Sequence, residues 1–328
     1  MVMPGIKGKH KLPRLRVGRG LKPYTGKFAS ADDQFKYSDR EIEVERAQRD
    51  LEIDPEKYRL TYLAQYQTAS AGSNANKEGQ IPFAPYTWGE FMKENASEVV
   101  DLLYWGRGKA AFASFNPAST YSVGALVKIS LTIGGKAEDN YFRCKTATSA
   151  GESPITHPAK WENVNYLAIT KGFRPRITEA ISNEGFDQIV STGAITSADA
   201  YSQFTAVFRG QDEIVKRQGA VIYCAQNSYE KLLDSIETTV TKNFELINNI
   251  AFLPKTDNKC RIQPVSWMAG SNALLCTPAN NFRLGTDQLD DMNKLTNIPQ
   301  HYTLETSLSF LIGTQIADLD VLVINDQE

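Results

Sequence analysis

Residues 303–310 alternate in polarity, and the row runs on to Ile312 with Leu311 the one apolar residue in the other row. Leu304, Thr306, Leu308, Phe310 and Ile312 take every second position, with Thr303, Glu305, Ser307, Ser309 and Leu311 between them. Successive side chains on a strand point to opposite faces, so this spacing specifies a β-strand that is buried on one side and wet on the other. Strands of that kind belong to antiparallel sheets, so this end of the chain must be built around one. Leu319 to Ile324 (LDVLVI) reads as its more continuously apolar partner.

Upstream the period changes. Thr87-Trp88-Gly89-Glu90 is a capping box, and Phe91, Met92, Val99, Leu102 and Leu103 follow at helical spacing. This predicts a helix from Trp88 to Trp105, stopped by Gly106. Ser38-Asp39-Arg40-Glu41 is a second capping box and predicts a helix to Ile53, ended by Asp54-Pro55. Residues 68–80 read as an exposed polar loop. Gly172–Ile181 leads into a connection, and Thr196 caps a helix with Ala200, Phe204, Val207 and Phe208 on one face. Gly219–Cys224 is a buried strand, and Asn227-Ser228-Tyr229-Glu230 opens another helix with Tyr229, Leu232, Leu233 and Ile236 inward. Strand-like runs follow at 261–268 and 273–277, then a turn at 278–281 and a run at 282–285. The fold class is α+β, an antiparallel sheet with amphipathic helices.

The 328 residues carry a formal charge of −2, but unevenly. Lys7, Lys9, Lys11, Arg14, Arg16, Arg19, Lys22 and Lys27 place +8 on the first 28 residues, which hold no acid, leaving −10 on the other 300. A basic arm on an acidic body suits a polyanion or an acidic neighbouring surface. Residues 1–37 have no hydrophobic period, so they are not expected to pack on their own chain. No apolar run reaches membrane-spanning length, and the charged start does not read as a secretory signal. Cys144, Cys224, Cys260 and Cys276 form no CxxC and read as reduced, buried thiols of a cytoplasmic product.

Catalytic chemistry finds little purchase. His10, His157 and His301 are scattered and form no metal-ligand spacing. Gly20–Lys27 has one residue too many for a phosphate loop, and Phe28 stands where Ser or Thr is needed. Gly106-Arg107-Gly108-Lys109 follows a helix instead of opening one, so it reads as a stop and turn. Asp32/Asp33, Asp290/Asp291 and Asp318/Asp320 read as solvated acids. No enzyme activity, cofactor or metal is expected.

Residues 117–163 resemble the small β modules of chitin-binding type. The pattern is Tyr121-x-x-Gly124-x-x-Val127, Tyr141-Phe142-Arg143-Cys144-Lys145, Pro154, Pro158 and Trp161. It reads as strands at 121–129 and 141–145 around a Gly134-Gly135 turn. The resemblance implies a minimal core of Tyr121, Val127, Tyr141 or Phe142, and Trp161, with Gly124 in a tight turn. Sugar-binding members add exposed rings after the second strand; here that stretch is Thr146–Ala150, with none.

The rest resembles tailed-phage major capsid proteins of the Hong Kong 97-like fold. The carrying stretches are Ile81-Pro82-Phe83, Leu103-Tyr104-Trp105-Gly106, Lys171-Gly172-Phe173, Thr196–Ala200, Ala220–Leu233, Leu274–Phe282 with Gly285-Thr286-Asp287, and the terminal antiparallel pair. The resemblance implies an arm (1–37), an arm and extended-loop region (38–80), a first capsid part with the spine helix (81–116), the inserted β module (117–163), and axial and peripheral domains (164–328). It also implies hexamers and pentamers in an icosahedral head around double-stranded DNA. Portal, scaffold and cement proteins would be partners, with assembly in the host cytoplasm. The alternative is a glycan-binding virion or adhesion protein acting through 117–163.

Overall fold

The computed structural model describes residues 1–17, 35–54, 83–133, 136–239, 246–247, 250–288, 290–291, 294–299 and 303–327. It forms two compact units. The first holds Met1–Val44, Gly172–Gly285 and Gly313–Glu328; the second holds Glu45–Lys171 and Thr286–Ile312.

The chain opens with β1 (Val2–Met3), β2 (Lys9–Val17), β3 (Phe35–Glu43) and β4 (Glu45–Ile53), then helix α1 (Phe83–Trp105). β5 (Ala113–Ser114), β6 (Leu126–Ile133), β7 (Lys136–Cys144) and β8 (Trp161–Asn163) follow. Next come α2 (Phe173–Asn183), β9 (Ile189–Val190), α3 (Ala200–Arg209), α4 (Glu213–Gln218), β10 (Ala220–Cys224) and α5 (Gln226–Thr239). The chain continues with β11 (Leu246–Ile247), β12 (Ile250–Phe252), β13 (Cys260–Pro264), β14 (Leu275–Thr277), β15 (Phe282–Gly285), β16 (Leu295–Pro299), β17 (Leu304–Ile316) and β18 (Val323–Asn325). The fold is mixed α+β.

The first unit is built on a seven-stranded sheet ordered β11-β12-β13-β10-β14-β18-β9. β10 lies inside it, parallel to β13 and antiparallel to β14. Ala220, Val221, Ile222 and Cys224 are all buried, which is why its sequence is apolar without alternation. Ala200, Phe204 and Val207 of α3 recur at helical spacing and join Leu232 and Ile236 of α5 in the same core. α5 starts at Gln226, just ahead of the expected cap, and Leu233 is half-buried. β1 pairs in parallel with β15, which pairs antiparallel with Gly313–Ile316 of β17. β2 and β3 form a two-stranded ribbon from Lys9↔Glu43 to Val17↔Phe35.

Two expectations are corrected here. Residues 1–17 do pack on their own chain: Ile6 is 5% exposed, Leu12 is 9% exposed, and the Met1 ammonium donates to the Phe282 carbonyl at 2.8 Å. Two buried side chains and backbone pairing hold a segment whose composition shows no period. The terminal strands do not pair with each other either: β18 lies between β14 and β9, because its short apolar run fits the covered sheet.

In the second unit, residues 304–312 of β17 pair antiparallel with β4, and residues 304–308 also pair antiparallel with β16 on the other side. Thr306, Leu308, Phe310 and Ile312 are buried, as their alternation requires. The helix expected from Ser38 to Ile53 is instead the strands β3 and β4. Glu45, Ala47, Arg49 and Leu51 form the more buried row of β4, with Arg46, Gln48, Asp50 and Glu52 exposed. That is a period of two, masked because charged residues occupy both rows.

Helix α1 begins at Phe83, ahead of the capping box, so Thr87 lies inside it. Pro85 sits in the first turn, where amides have no intrahelical partner and proline is tolerated. Phe91, Asn95 and Leu102 are buried along one face, with Glu98 between them. Gly106 ends the helix as expected: a Cβ there would sit 2.5 Å from the Thr170 carbonyl oxygen and 2.6 Å from that of Leu102. Beside it the Arg107 and Gly108 amides both donate to the Leu167 carbonyl, at 2.7 and 3.0 Å, and Arg107 bridges to Lys171. The chain therefore leaves and re-enters at one narrow stem. Outside the stem stands a sheet ordered β5-β6-β7-β8. Its first long strand starts at Leu126; Tyr121 makes only an isolated bridge to Thr148. The Gly134-Gly135 turn, the Tyr58–Gln67 segment and the 68–80 loop lie outside the described residues.

Candidate functional site

The small sheet packs one face around Val127, Cys144 and Trp161, with Phe115, Tyr121 and Phe142 against them. Trp161 lies 5.4 Å from Tyr121 and 6.1 Å from Phe115, centroid to centroid, and Phe115 stacks on Tyr121. The indole Nε1 donates to the Glu152 carbonyl at 3.1 Å. Gly124 has φ +88°, open to glycine at no steric cost, and its amide donates to the Cys144 carbonyl. Strand parity decides between Tyr141 and Phe142. Phe142 and Cys144 face this cluster, while Tyr141 faces the other side, 4.9 Å from Phe112 and packed with Val164 and Leu167. Phe115 was not foreseen as a core residue; Cys144 was expected to be buried, but not in this cluster, although it lies two residues from Phe142 on one strand.

Three of the cluster's four rings, Phe115, Tyr121 and Trp161, pack on one another. Among the described residues of the module, the exposed large apolar side chains are the aliphatic Val123 and Ile155. Lys160 clasps the Glu152 carboxylate with both oxygens at 2.7 Å, and Arg143 pairs with Glu162 at 2.6 Å. The hydrogen bond from Lys160, then that from the Ser149 amide, holds the Glu152 carboxyl below the usual carboxylate range.

The basic arm is partly neutralised within its own chain. Lys9 pairs with Glu43 at 3.3 Å, Lys11 with Asp39 at 2.7 Å, and Arg14 with Asp318 at 2.8 Å and Asp320 at 2.6 Å. The Asp318/Asp320 pair thus has a cationic partner. Lys7 precedes β2 and Arg16 lies within it. Arg19, Lys22, Lys27 and the Gly20–Lys27 stretch lie outside the described residues, as do Asp32, Asp33 and His301.

His10 sits on β2. His157 Nδ1 lies 2.9 Å from the Thr156 hydroxyl, and Nε2 is 4.0 Å from Glu152. Among the described residues, no group of three or more His, Cys, Asp or Glu side chains is placed to hold a metal. All four cysteines are free and buried. Burial pushes the Cys224 and Cys276 thiols up to about 12, and raises those of Cys260 and Cys144.

A cavity of about 360 Å³ opens in the second unit beside Arg49, Asn95, Glu98, Asn163, Tyr166 and Phe310. Its polar walls are largely committed. Arg49 donates to Glu98 at 3.0 Å and lies over the Phe91 ring, and the Asn165 side chain holds the Tyr141 amide and Asn140. Burial raises the Glu98 carboxyl, against the pull of Arg49. No helix among the described residues is long and apolar enough to cross a membrane.

No family model and no curated protein matches the chain. Solved structures with some likeness are phage capsids and an encapsulin. The satellite phage P4 procapsid, which includes the size-determination protein Sid, is 10% identical, covering 99% of this chain and 84% of that one at a TM-score of 0.46. The cyanophage A-1(L) capsid is 12% identical, covering 100% and 89% at 0.46. The holo-SrpI encapsulin complex from Synechococcus elongatus PCC 7942 is 11% identical, covering 99% and 84% at 0.44. Likeness of this degree does not by itself assign a role.

Proposed function

We propose that the chain is a major capsid protein, assembling through hexamers and pentamers into the icosahedral head of a tailed phage around its double-stranded DNA. The observation that supports this is the coincidence of the resembling stretches with successive elements. Leu103–Gly106 closes α1, Lys171–Phe173 opens α2, Ala220–Leu233 is β10 running into α5, and Leu274–Phe282 is β14 turning into β15. On this reading α1 is the spine helix, residues 304–312 form a peripheral-domain strand, residues 261–285 belong to the axial domain, and 117–163 is an insertion mounted on the stem. The lysines and arginines of residues 1–28 that are not spent within the chain reach neighbouring subunits. Portal, scaffold and cement proteins would meet the finished lattice, and the site of action is the virion. The glycan-binding alternative gains nothing from the module, whose rings pack on each other.

The test is electron microscopy and sedimentation velocity of the expressed full chain, with and without DNA. Closed shells, tubes or hexameric rings are expected. A chain that stays monomeric across concentration and salt would refute the reading.

A further inference from the structure

The β2–β3 ribbon has two faces, and one of them breaks the rule for a wet surface. Toward the core side, Leu12 and Ile42 are buried and Arg14 reaches Asp318 and Asp320. The opposite face carries Lys9, Lys11, Pro13, Leu15 and Val17 across from Glu43, Glu41, Asp39, Tyr37 and Phe35. All ten are exposed. At the base this face is charged and closed on itself, by Lys9–Glu43 and Lys11–Asp39. At the tip it is apolar: Leu15 is 49% exposed, Val17 63%, Phe35 57% and Tyr37 78%. These four form two directly facing cross-strand pairs, Leu15↔Tyr37 and Val17↔Phe35. A solvent-facing row should be polar. No other stretch among the described residues brings four exposed large apolar side chains into facing pairs; residues such as Ile214 and Ile298 stand singly.

We infer that this strip is a self-association surface, which packs against the same strip of a second copy around a two-fold axis. Three features select that occupant. The four side chains carry no charge, so an acidic surface gains little from them, and Lys9, Lys11 and Arg14 nearby are already committed to acids. Among the described residues the strip is the one place that gathers four exposed large apolar side chains in facing pairs, so a second copy of it offers a like apolar surface in an isologous contact. Two ribbons placed face to face also make a four-stranded sandwich, whereas one two-stranded ribbon is marginal alone. At about 150–250 Å² per whole aromatic side chain, Phe35 and Tyr37 leave roughly 250 Å² open. With Leu15, Val17 and the rim, doubled across the axis, the contact reaches about 1,000 Å², the lower end for a specific interface. A single contact of this kind is weak and gains strength by repetition. The inference goes beyond the shell reading and does not depend on it.

The experiment uses the full chain in three forms: wild type, Phe35→Thr/Tyr37→Thr, and Tyr37→Cys. Threonine keeps β-propensity, so the ribbon is retained. Wild type is expected to show a concentration-dependent dimer by sedimentation. The threonine variant should weaken it at least about tenfold, as loss of central aromatic anchors does, with unchanged circular dichroism. Tyr37→Cys should give chain-to-chain dimers with a short bismaleimide, because any two-fold through so small a strip brings both residues 37 within reach. Ile214→Cys, 63% exposed in wild type, is the control and should give none; the native thiols are buried. A dimer untouched by the threonine variant overturns the inference. So do equal crosslinking at both sites or a monomeric wild type without crosslinks. Shells without crosslinks at residue 37 sink this inference and spare the shell reading; crosslinked dimers that never form shells do the reverse.

Discussion

Two glycine-to-alanine changes at one helix should act in opposite directions. At Gly106 the new methyl would sit 2.5 Å from the Thr170 carbonyl oxygen, 2.6 Å from the Leu102 carbonyl oxygen and 2.8 Å from the Leu102 Cδ1. Carbon contacts prefer about 3.5–4.0 Å, and two of these neighbours are backbone atoms that cannot rotate away. The stem must open by roughly an ångström, an overpacking cost of about 1–3 kcal/mol. Opening also strains the Arg107 and Gly108 amide bonds to Leu167, each contributing about 0.5–1.5 kcal/mol. Gly106→Ala should therefore destabilise the chain by about 2–6 kcal/mol on those two terms together. At Gly89, inside the same helix, nothing lies within 4 Å of an added methyl. Gly89→Ala should stabilise by about 0.5–1 kcal/mol, through reduced backbone entropy. Urea unfolding followed by near-ultraviolet circular dichroism gives both values from midpoints at constant slope. Hydrogen exchange at residues 107 and 108 reports the stem directly. If Gly106→Ala stays within about 0.5 kcal/mol of wild type, the range of an ordinary surface change, the steric account of the stem is wrong.

Further outcomes follow from single contacts. Trp161→Ala should cost about 3–5 kcal/mol and expose amides of β6–β8 to exchange, because it empties the centre of the small sheet. Deleting residues 1–7 removes β1 and the buried Ile6, so the folded fraction should fall in a thermal melt, by at least the roughly 1.5–3 kcal/mol of that side chain's burial. The Asp326 carboxyl is held well below its ordinary range by hydrogen bonds, first from the Gln327 side chain, then from the Thr192 amide and the Ser191 hydroxyl. A depressed folded value stabilises above the ordinary aspartate range, near pH 4, and this contribution is lost as pH falls below it. Asp326→Asn should therefore flatten that part of the acid-unfolding curve. The four thiols should stay silent to a thiol reagent at pH 8 and appear together only on unfolding.

Where side chains near in sequence decide the structure, the sequence could be read. The β17 alternation, the apolar run of β10 and the Gly106 stop each follow from their own residues. The β4 strand was hidden because Glu45 and Arg49 stand in its more buried row, so polarity does not alternate along it. The pairing of β18 was hidden for a different reason: Leu319–Ile324 is apolar enough for several neighbours, and the choice of β14 over β17 is made by residues far away. The N-terminal segment shows only Ile6 and Leu12 as anchors, six positions apart in a basic stretch. In the small sheet Tyr121 and Trp161 were visible while Phe115, which lies outside the recognised pattern, was not, and which of Tyr141 and Phe142 turns inward depended on register.

The stem at 106–108 and 167–171 bears on how such a chain acquires new parts. Its two sides are already held together by three backbone contacts, so whatever is strung between them starts and ends at the same place. Closing a longer segment there costs only about 0.6 kcal/mol per doubling of length. Peptides or whole foreign domains spliced in place of 117–163 would therefore meet a prebuilt socket, and their length would matter far less than how well they refill the place of Tyr141 against the retained Phe112 and Val164.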